Sequence, residues 1–319
     1  MSTITPPPRF IFAVLVAITF ISPLANHMFI PAMPVVKKDF GIGDELAFAT
    51  LSVTMMTMAF TTLFYGGFSD QWGRKRILLA GLVLYTAGGV VCWFAPDIWI
   101  FLGGRVLQGA GAGCGIVLAR AIARDLYGME RIASVIANLT AAYVLGPLLA
   151  PTIGAFLIGA QGWRFLFVVI TILGLALIVL AAFRLPETHH PEPASGGAKA
   201  ILKGMVRNYG QLMRVTRFNA YAVLPGFLSG TFFALATSSS FLARETLDIS
   251  TEAYGLWFLF LPAGFMIGNL ISGRIGNRRS VSFMTLFGSS LNLLVVLSMW
   301  LCHEIMGLSM LLMMASGFI

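Results

Sequence analysis

The sequence is poor in charge. Only 11% of its 319 residues are charged and 58% are hydrophobic, whereas soluble domains carry about 25% charged and 45–50% apolar residues. So many apolar residues cannot be hidden in one soluble core of this size. This excludes an ordinary soluble domain and predicts an apolar surface that faces lipid.

Cysteine is also scarce, and the sequence shows no metal or catalytic spacing. Cys92, Cys114 and Cys302 lie in apolar runs without repeated spacing, which argues against a disulfide framework or a zinc site. His189 and His190 could bind a metal weakly, but a solvated linker is the favoured interpretation. Because no nucleophile–base or ligand constellation stands out, we predict neither an enzyme nor a cofactor.

Long apolar runs make up most of the sequence. A membrane span needs about 20 predominantly apolar residues. The candidate spans are 10–33, 46–69, 77–95, 98–122, 132–158, 164–184, 218–243, 252–273, 280–302 and 305–319. The first run lacks a small-residue cleavage site and is therefore interpreted as a retained helix rather than a signal peptide.

Lys and Arg set the predicted orientation. With the N-terminus in the cytoplasm, 16 of the 21 basic residues fall in cytoplasmic segments, four fall outside and Arg105 lies within a span. This bias follows the positive-inside rule. Short basic clusters between apolar runs do not form a solvated nucleic-acid-binding face. The sequence therefore predicts a multi-pass inner-membrane protein with a cytoplasmic N-terminus and no nucleic-acid partner.

The polar segment 187–198 divides the chain after six spans. We predict an N-terminal six-helix bundle over 1–186, a cytoplasmic linker with an amphipathic helix over 187–217, and an incomplete C-terminal bundle over 218–319. The linker helix either lies on the inner membrane surface or is a plain solvated helix. Segment 67–76 is echoed by 270–279, six spans later, as in transporters built from parallel repeats.

A glycine-rich, charged segment ends the second span. It contains Gly66, Asp70, Gly73, Arg74 and Lys75. A carboxylate at this depth is costly unless paired, glycines permit a tight turn between helices, and the basic residues anchor the loop inside. An ordinary positive-inside loop would explain the cations but not Asp70.

Two further patterns lie inside spans. Arg105 in the fourth span is expected to face a cavity or a partner, although it could also snorkel to the outer surface. The fifth span contains two prolines with flanking glycines, and a bent, close-packed helix would serve as a gate. A generic proline kink is the simpler alternative. These residues are Gly146, Pro147, Pro151 and Gly154.

Together these segments resemble motifs A, B and C of the major facilitator superfamily, the last being a signature of its drug/proton antiporter branch. Stretches 26–34, 120–127 and 185–188 resemble the Bcr/CflA group of multidrug efflux transporters. The resemblance implies an all-α membrane protein with two parallel-repeat bundles. It also implies that about ten of the expected twelve helices are present and that a monomer in lipid exchanges small amphipathic molecules for protons. It further implies that Asp70, Arg74 and Asp125 form a charge relay with the eleventh helix, and that Arg105 takes part in proton coupling.

The sequence departs from that group at His27, where an acidic residue is common. None of the 13 acidic residues falls in the middle of a span, which favours neutral or anionic substrates. His27 could cycle a proton, since its unperturbed pKa is about 6.5, or it could be a neutral polar residue lining the cavity. The remaining candidate cavity residues are Asn26, Met55, Tyr143, Phe232 and Asn269.

The chain ends within the tenth predicted span. Two more spans would need roughly 60–80 further residues at about 20 apolar residues per span plus short loops. We therefore expect either a fragment or a truncated gene. A non-transporting remnant and a metabolite transporter of the same fold are the alternatives to an exporter, and an open reading frame downstream would favour the exporter.

Overall fold

The computed structural model describes residues 9–189, 197–261, 263–264, 266–268 and 281–306. Across these ranges the chain forms helices joined by short turns, and no strand occurs within them. The helices are α1 (Arg9–His27), α2 (Met33–Phe40), α3 (Asp44–Trp72), α4 (Arg74–Phe94), α5 (Ile98–Ala112), α6 (Cys114–Gln161), α7 (Arg164–Arg184), α8 (Gly197–Leu212), α9 (Thr216–Phe241), α10 (Thr251–Phe258) and α11 (Val281–Met306).

Six segments of the described chain are long and apolar enough to cross a membrane. They are Phe10–Phe40, Asp44–Trp72, Arg74–Phe94, Ile98–Gly128, Ser134–Gln161 and Arg164–Arg184. These match the first six predicted spans. The first is longer than predicted because a 3₁₀ turn at Ile30–Ala32 leads directly into α2. The fourth continues to Gly128, where φ is +67° and the helix breaks.

Later predicted spans are described only in part. The seventh and ninth coincide with the helices α9 and α11, and the start of the eighth coincides with α10. The last predicted span, 305–319, lies almost wholly outside the described residues, as does Asn269.

Glycines let the first six spans approach closely. A Cβ on Gly111 would collide with the backbone of Tyr85, and one on Gly109 would collide with the carbonyl of Thr54. Helices in lipid gain little from hydrophobic burial, so small residues at their contacts permit the van der Waals packing that holds them together. The glycines at 109, 111 and 113 therefore pack helices against one another.

The linker helix α8 packs on α3. Tyr209 donates a hydrogen bond from its hydroxyl to the carbonyl of Leu63 at 2.7 Å, and a Cβ on Gly67 would lie 2.6 Å from the sulfur of Met205. The basic side chains of Lys203 and Arg207 are exposed. Neither predicted location of this helix, on the membrane surface or free in solvent, anticipated this contact.

Candidate functional site

Arg105 is completely buried where α1, α3 and α5 meet. Its Nε donates to the carbonyl of Thr50 at 3.0 Å. Its Nη1 donates to the carbonyl of Ala25 at 3.4 Å and to Oε1 of Gln108 at 2.5 Å. The guanidinium carbon lies 4.4 Å from the ring centroid of Phe29, a cation–π geometry. The side chain thus points into the bundle rather than toward the outer surface.

Four buried side-chain atoms on α1 and α5 lack a hydrogen-bond partner. They are Nη2 of Arg105, Nε2 of Gln108, Oδ1 of Asn26 and Nδ1 of His27. Buried polar groups are normally paired, and each exception calls for an explanation such as a bound ligand or water. We call these four residues the polar cluster, since Arg105 bonds to the residue preceding Asn26.

Aromatic rings close one side of the polar cluster. The ring of His27 stacks on Phe233 with centroids 5.2 Å apart and meets Phe232 edge-on at 5.9 Å. Phe232 in turn contacts Phe258 of α10. His27 therefore lies at the junction between the first six spans and the pair α9–α10.

A second buried arginine holds the end of α3. Arg74 pairs with Asp70 at 2.5 Å and with Asp125 at 3.3 Å, and its Nη1 donates to the hydroxyl of Ser69 at 2.6 Å. The structure thus brings together Asp70, Arg74 and Asp125, the three residues that the resemblance suggested as a relay. Thr188 adds a hydrogen bond from its hydroxyl to Asp125 at 3.2 Å.

Glu187 is a member of this group that sequence reasoning did not single out. Its Oε1 accepts hydrogen bonds from the backbone N–H groups of Lys75, Thr188 and His189 at 3.1–3.3 Å. It therefore caps the first turn of α4, where an anion is favoured by unpaired N–H groups and the helix dipole. The only sequence signal was a carboxylate directly after a span, in the segment 185–188.

The glycines of this segment differ in role from the prediction. Gly73 has a φ of +95°, and a Cβ there would lie 2.5 Å from Oε2 of Glu187, so this turn does require glycine. Gly66 lies inside α3 rather than in the turn, with no heavy atom close to a potential Cβ. The close-packed glycine is its neighbour Gly67, against Met205. Lys75 donates to the carbonyl of Ala182 at 2.6 Å.

The proline-containing part of α6 packs tightly on α1. A Cβ on Gly146 would collide with Pro23, and one on Gly154 would collide with the carbonyl of Met28. The predicted close packing is therefore present. The backbone of α6 departs from helical angles at Gly128, and Pro147 and Pro151 lie within the helix. The kink at the prolines stays a prediction. The intervening Tyr143 is half-buried in α6, within electrostatic range of Arg120.

At the end of the molecule that carries Lys37, the first six spans contact α9 and the residues that follow it. Lys37 pairs with both Asp44 and Glu245 at 2.7 Å, and the hydroxyl of Ser240 donates to the carbonyl of Ile30 at 3.1 Å. Farther along the same face, the hydroxyl of Thr152 donates to the carbonyl of Gly255 at 2.8 Å. The α2 region therefore meets the end of α9, and α6 separately meets α10.

Six spans around a buried polar cluster define a polytopic membrane protein with a polar site in its interior. The chain belongs to the Major Facilitator Superfamily, whose family model matches residues 15–319. It is 27% identical over 293 residues to a bicyclomycin resistance protein homolog from Haemophilus influenzae, covering 92% of this chain and 72% of the relative. It is 34% identical over 179 residues to the multidrug resistance protein MdtL from Shigella dysenteriae, covering 56% of this chain and 46% of the relative.

The same fold occurs in a solved transporter. A bacterial homolog of the human lysosomal transporter Spinster superposes with a TM-score of 0.73 at 15% identity, covering 97% of this chain and 72% of that one. The homologues are transporters rather than enzymes. The family and the fold therefore agree with the all-α membrane protein that the sequence predicts.

Proposed function

We propose that this protein exports small amphipathic molecules in exchange for protons by alternating access. The observation that carries the proposal is the polar cluster, where four buried residues hold unpaired hydrogen-bonding atoms inside the first six spans, and where His27 contacts α9. In transporters of this architecture, substrate sites lie near the bilayer midplane between the halves. The names of the multidrug and bicyclomycin resistance relatives support efflux as the direction.

The contacts suggest which end of the site is closed. Lys37, Ser240 and Thr152 join the first six spans to α9 and the residues after it at one end. Toward the other end of α9, Val223 and Phe227 are 54% and 73% exposed. The proposal therefore assigns the Lys37 end to the closed outer side and the Arg74 end to an open cytoplasmic side, with the N-terminus in the cytoplasm.

Proton exchange is assigned to His27, with Arg105 coupling the cluster to the helices around it. An imidazole is the side chain whose ordinary titration range lies nearest neutrality, and Nδ1 of His27 has no partner. The ring also touches α9 through Phe233, so its charge acts on the junction that must open. The relay Asp70–Arg74–Asp125 is proposed to fasten the cytoplasmic end in the opposite state.

Reconstituted vesicles test this function. We expect the full chain in proteoliposomes to move a fluorescent xanthene dye when a pH gradient is imposed, and to stop when nigericin collapses the gradient. H27Q, which keeps a polar side chain but cannot cycle a proton, should lose the response to the gradient. Dye movement that ignores the gradient would indicate an uncoupled transporter. Absence of movement with every dye would favour a non-transporting chain.

A further inference from the structure

Lys37 is held by two carboxylates that belong to different parts of the molecule. Its Nζ lies 2.7 Å from Oδ1 of Asp44 and 2.7 Å from Oε1 of Glu245. Lys37 is in the last turn of α2 and Asp44 is the first residue of α3, so both belong to the first six spans. Glu245 lies in the π-helical turn Leu242–Thr246 that follows α9. One ammonium group therefore forms one pair within the first six spans and one pair across the junction with α9.

The two pairs respond differently when this junction opens. A short turn with Gly41 in the left-handed region, at a φ of +61°, joins α2 to α3. Lys37 and Asp44 are therefore kept together by the local chain, whereas Glu245 moves away with α9. Because a partly buried charge without a partner is costly, Asp44 stabilises the open junction by keeping the ammonium group paired.

The two carboxylates also repel each other. Both have an oxygen 2.7 Å from the same Nζ, so these oxygens lie no farther apart than the sum of the two distances. Like charges at this separation disfavour each other. The repulsion between Asp44 and Glu245 exists only while the junction is closed. It therefore weakens the closed state, which the attraction between Lys37 and Glu245 stabilises.

The ion pairs cover a closed contact between α9 and the first six spans. The rings of Phe48 and Phe241 have centroids 4.8 Å apart, and Nζ of Lys37 lies 5.6 Å from the ring centroid of Phe241. The hydroxyl of Ser240 donates to the carbonyl of Ile30 at 3.1 Å, and Ser240 is 3% exposed. A reagent in water therefore reaches position 240 only when this junction opens.

We propose that Lys37 is an ionic latch that gives up Glu245 and keeps Asp44 when the junction opens, so that the two carboxylates have opposite effects on opening. Glu245 holds the junction closed, and Asp44 favours the open state. The proposal rests on the proposed function in that it concerns the end assigned to the closed outer side. From most to least open, the expected order is Lys37→Met, Glu245→Gln, wild type and Asp44→Asn. Lys37→Met comes first because it removes the attraction and leaves the repulsion.

The rate of thiol labelling at position 240 measures this opening. Ser240→Cys is combined with Cys302→Ser, a background in which Cys92 and Cys114 are buried. The purified protein in detergent reacts with a polyethylene glycol maleimide, and the initial rate is recorded for each latch variant. The reagent is uncharged, so a change in local potential does not alter its concentration at the site. A thermal melt of each variant checks that the fold is retained.

The two carboxylate variants should change the labelling rate in opposite directions. Glu245→Gln should raise it about two- to fivefold, which is the size expected for losing one partly exposed ion pair. Asp44→Asn should lower it by a similar factor of about two or more, because Glu245 then has Lys37 to itself and no carboxylate opposes it. Both variants remove one negative charge beside the same ammonium group, so a general effect of charge would move both rates together.

A matched control removes a carboxylate that does not cross the junction. Asp39 of α2 pairs with Arg164 of α7 at 2.6 Å, and Asp39→Asn should leave the labelling rate unchanged. The proposal is overturned if Asp44→Asn and Glu245→Gln shift the rate in the same direction, if neither shifts it, or if Lys37→Met is labelled no faster than wild type. The assay needs no substrate, gradient or membrane orientation, so failure of transport in vesicles would leave the latch standing, and failure of the latch would leave the exporter standing.

Discussion

Replacing Arg105 with methionine should strongly impair transport while the protein stays folded. The carbonyls of Thr50 and Ala25 that accept from Arg105 belong to helical backbone. Oε1 of Gln108, which also accepts from the guanidinium, is left buried without a donor, at a cost of about 1–3 kcal/mol. Methionine fills much of the same buried space, and exchanging a buried charge for an apolar residue of similar volume is often neutral or stabilising. We therefore expect the free energy of unfolding to fall by no more than about 3 kcal/mol.

Transport should be affected much more strongly than stability. The guanidinium supplies the positive field and one of the free donors of the polar cluster, and intramembrane ionisable residues mark substrate and proton pathways. We expect gradient-driven dye movement to fall at least about tenfold, which is the effect of losing roughly 1.4 kcal/mol of selective interaction. The measurements are initial rates in proteoliposomes and the melting temperature in the same detergent.

Arg164 provides the matched control. It pairs with Asp39 at 2.6 Å and is about 40% exposed, so Arg164→Met removes an arginine from a partly solvated pair outside the polar cluster. This variant should transport near the wild-type rate. If Arg105→Met transported within twofold of wild type, the polar cluster could not be the coupling site.

Removing Arg74 should be the most destabilising change at the opposite end. Arg74 is 4% exposed and separates the carboxylates of Asp70 and Asp125. Arg74→Ala leaves Asp125, which is 19% exposed, beside Asp70, with only the longer 4.0 Å contact to Arg124 as a counter-charge. Breaking a buried pair in this way typically costs 3–5 kcal/mol. Because Asp70 is 55% exposed and screened by solvent, we expect about 2–4 kcal/mol, measured as a lower melting temperature.

Two further variants make this result specific. Arg76 is exposed in the same basic segment, and Arg76→Ala should change stability by no more than about 0.5 kcal/mol. Combining Arg74→Ala with Asp125→Asn removes the unpaired charge and should recover part of the loss, because residues in contact are coupled. Equal melting temperatures for Arg74→Ala and Arg76→Ala would show that the Asp70–Arg74–Asp125 group does not hold this end together.

The sequence predicted the features that depend on the length of an apolar run or on the free-energy cost of placing a charge in lipid. Apolar runs of sufficient length predicted the first six spans, and the cost of a cation in lipid predicted that Arg105 would face a cavity or a partner. The sequence could not predict that Glu187 caps α4, because that contact joins residues 112 positions apart and leaves no periodic trace. The packing of α8 on α3 was missed for the same reason. Gly66, which was predicted to lie in a turn, is inside α3, and its neighbour Gly67 packs against Met205. Spacing alone does not show which helix face meets a neighbour.

The central claim is that the Arg74 end and the Lys37 end lie on opposite sides of the membrane, with the polar cluster between them. The direct test labels single cysteines at exposed positions with a membrane-impermeant maleimide in intact cells. Cys302→Ser is the background, in which Cys92 and Cys114 are buried. Asp44→Cys, at the Lys37 end, should be labelled from outside, whereas Arg76→Cys should react only after the membrane is permeabilised. Labelling of both positions from the same side would contradict the topology and with it the proposed path of transport.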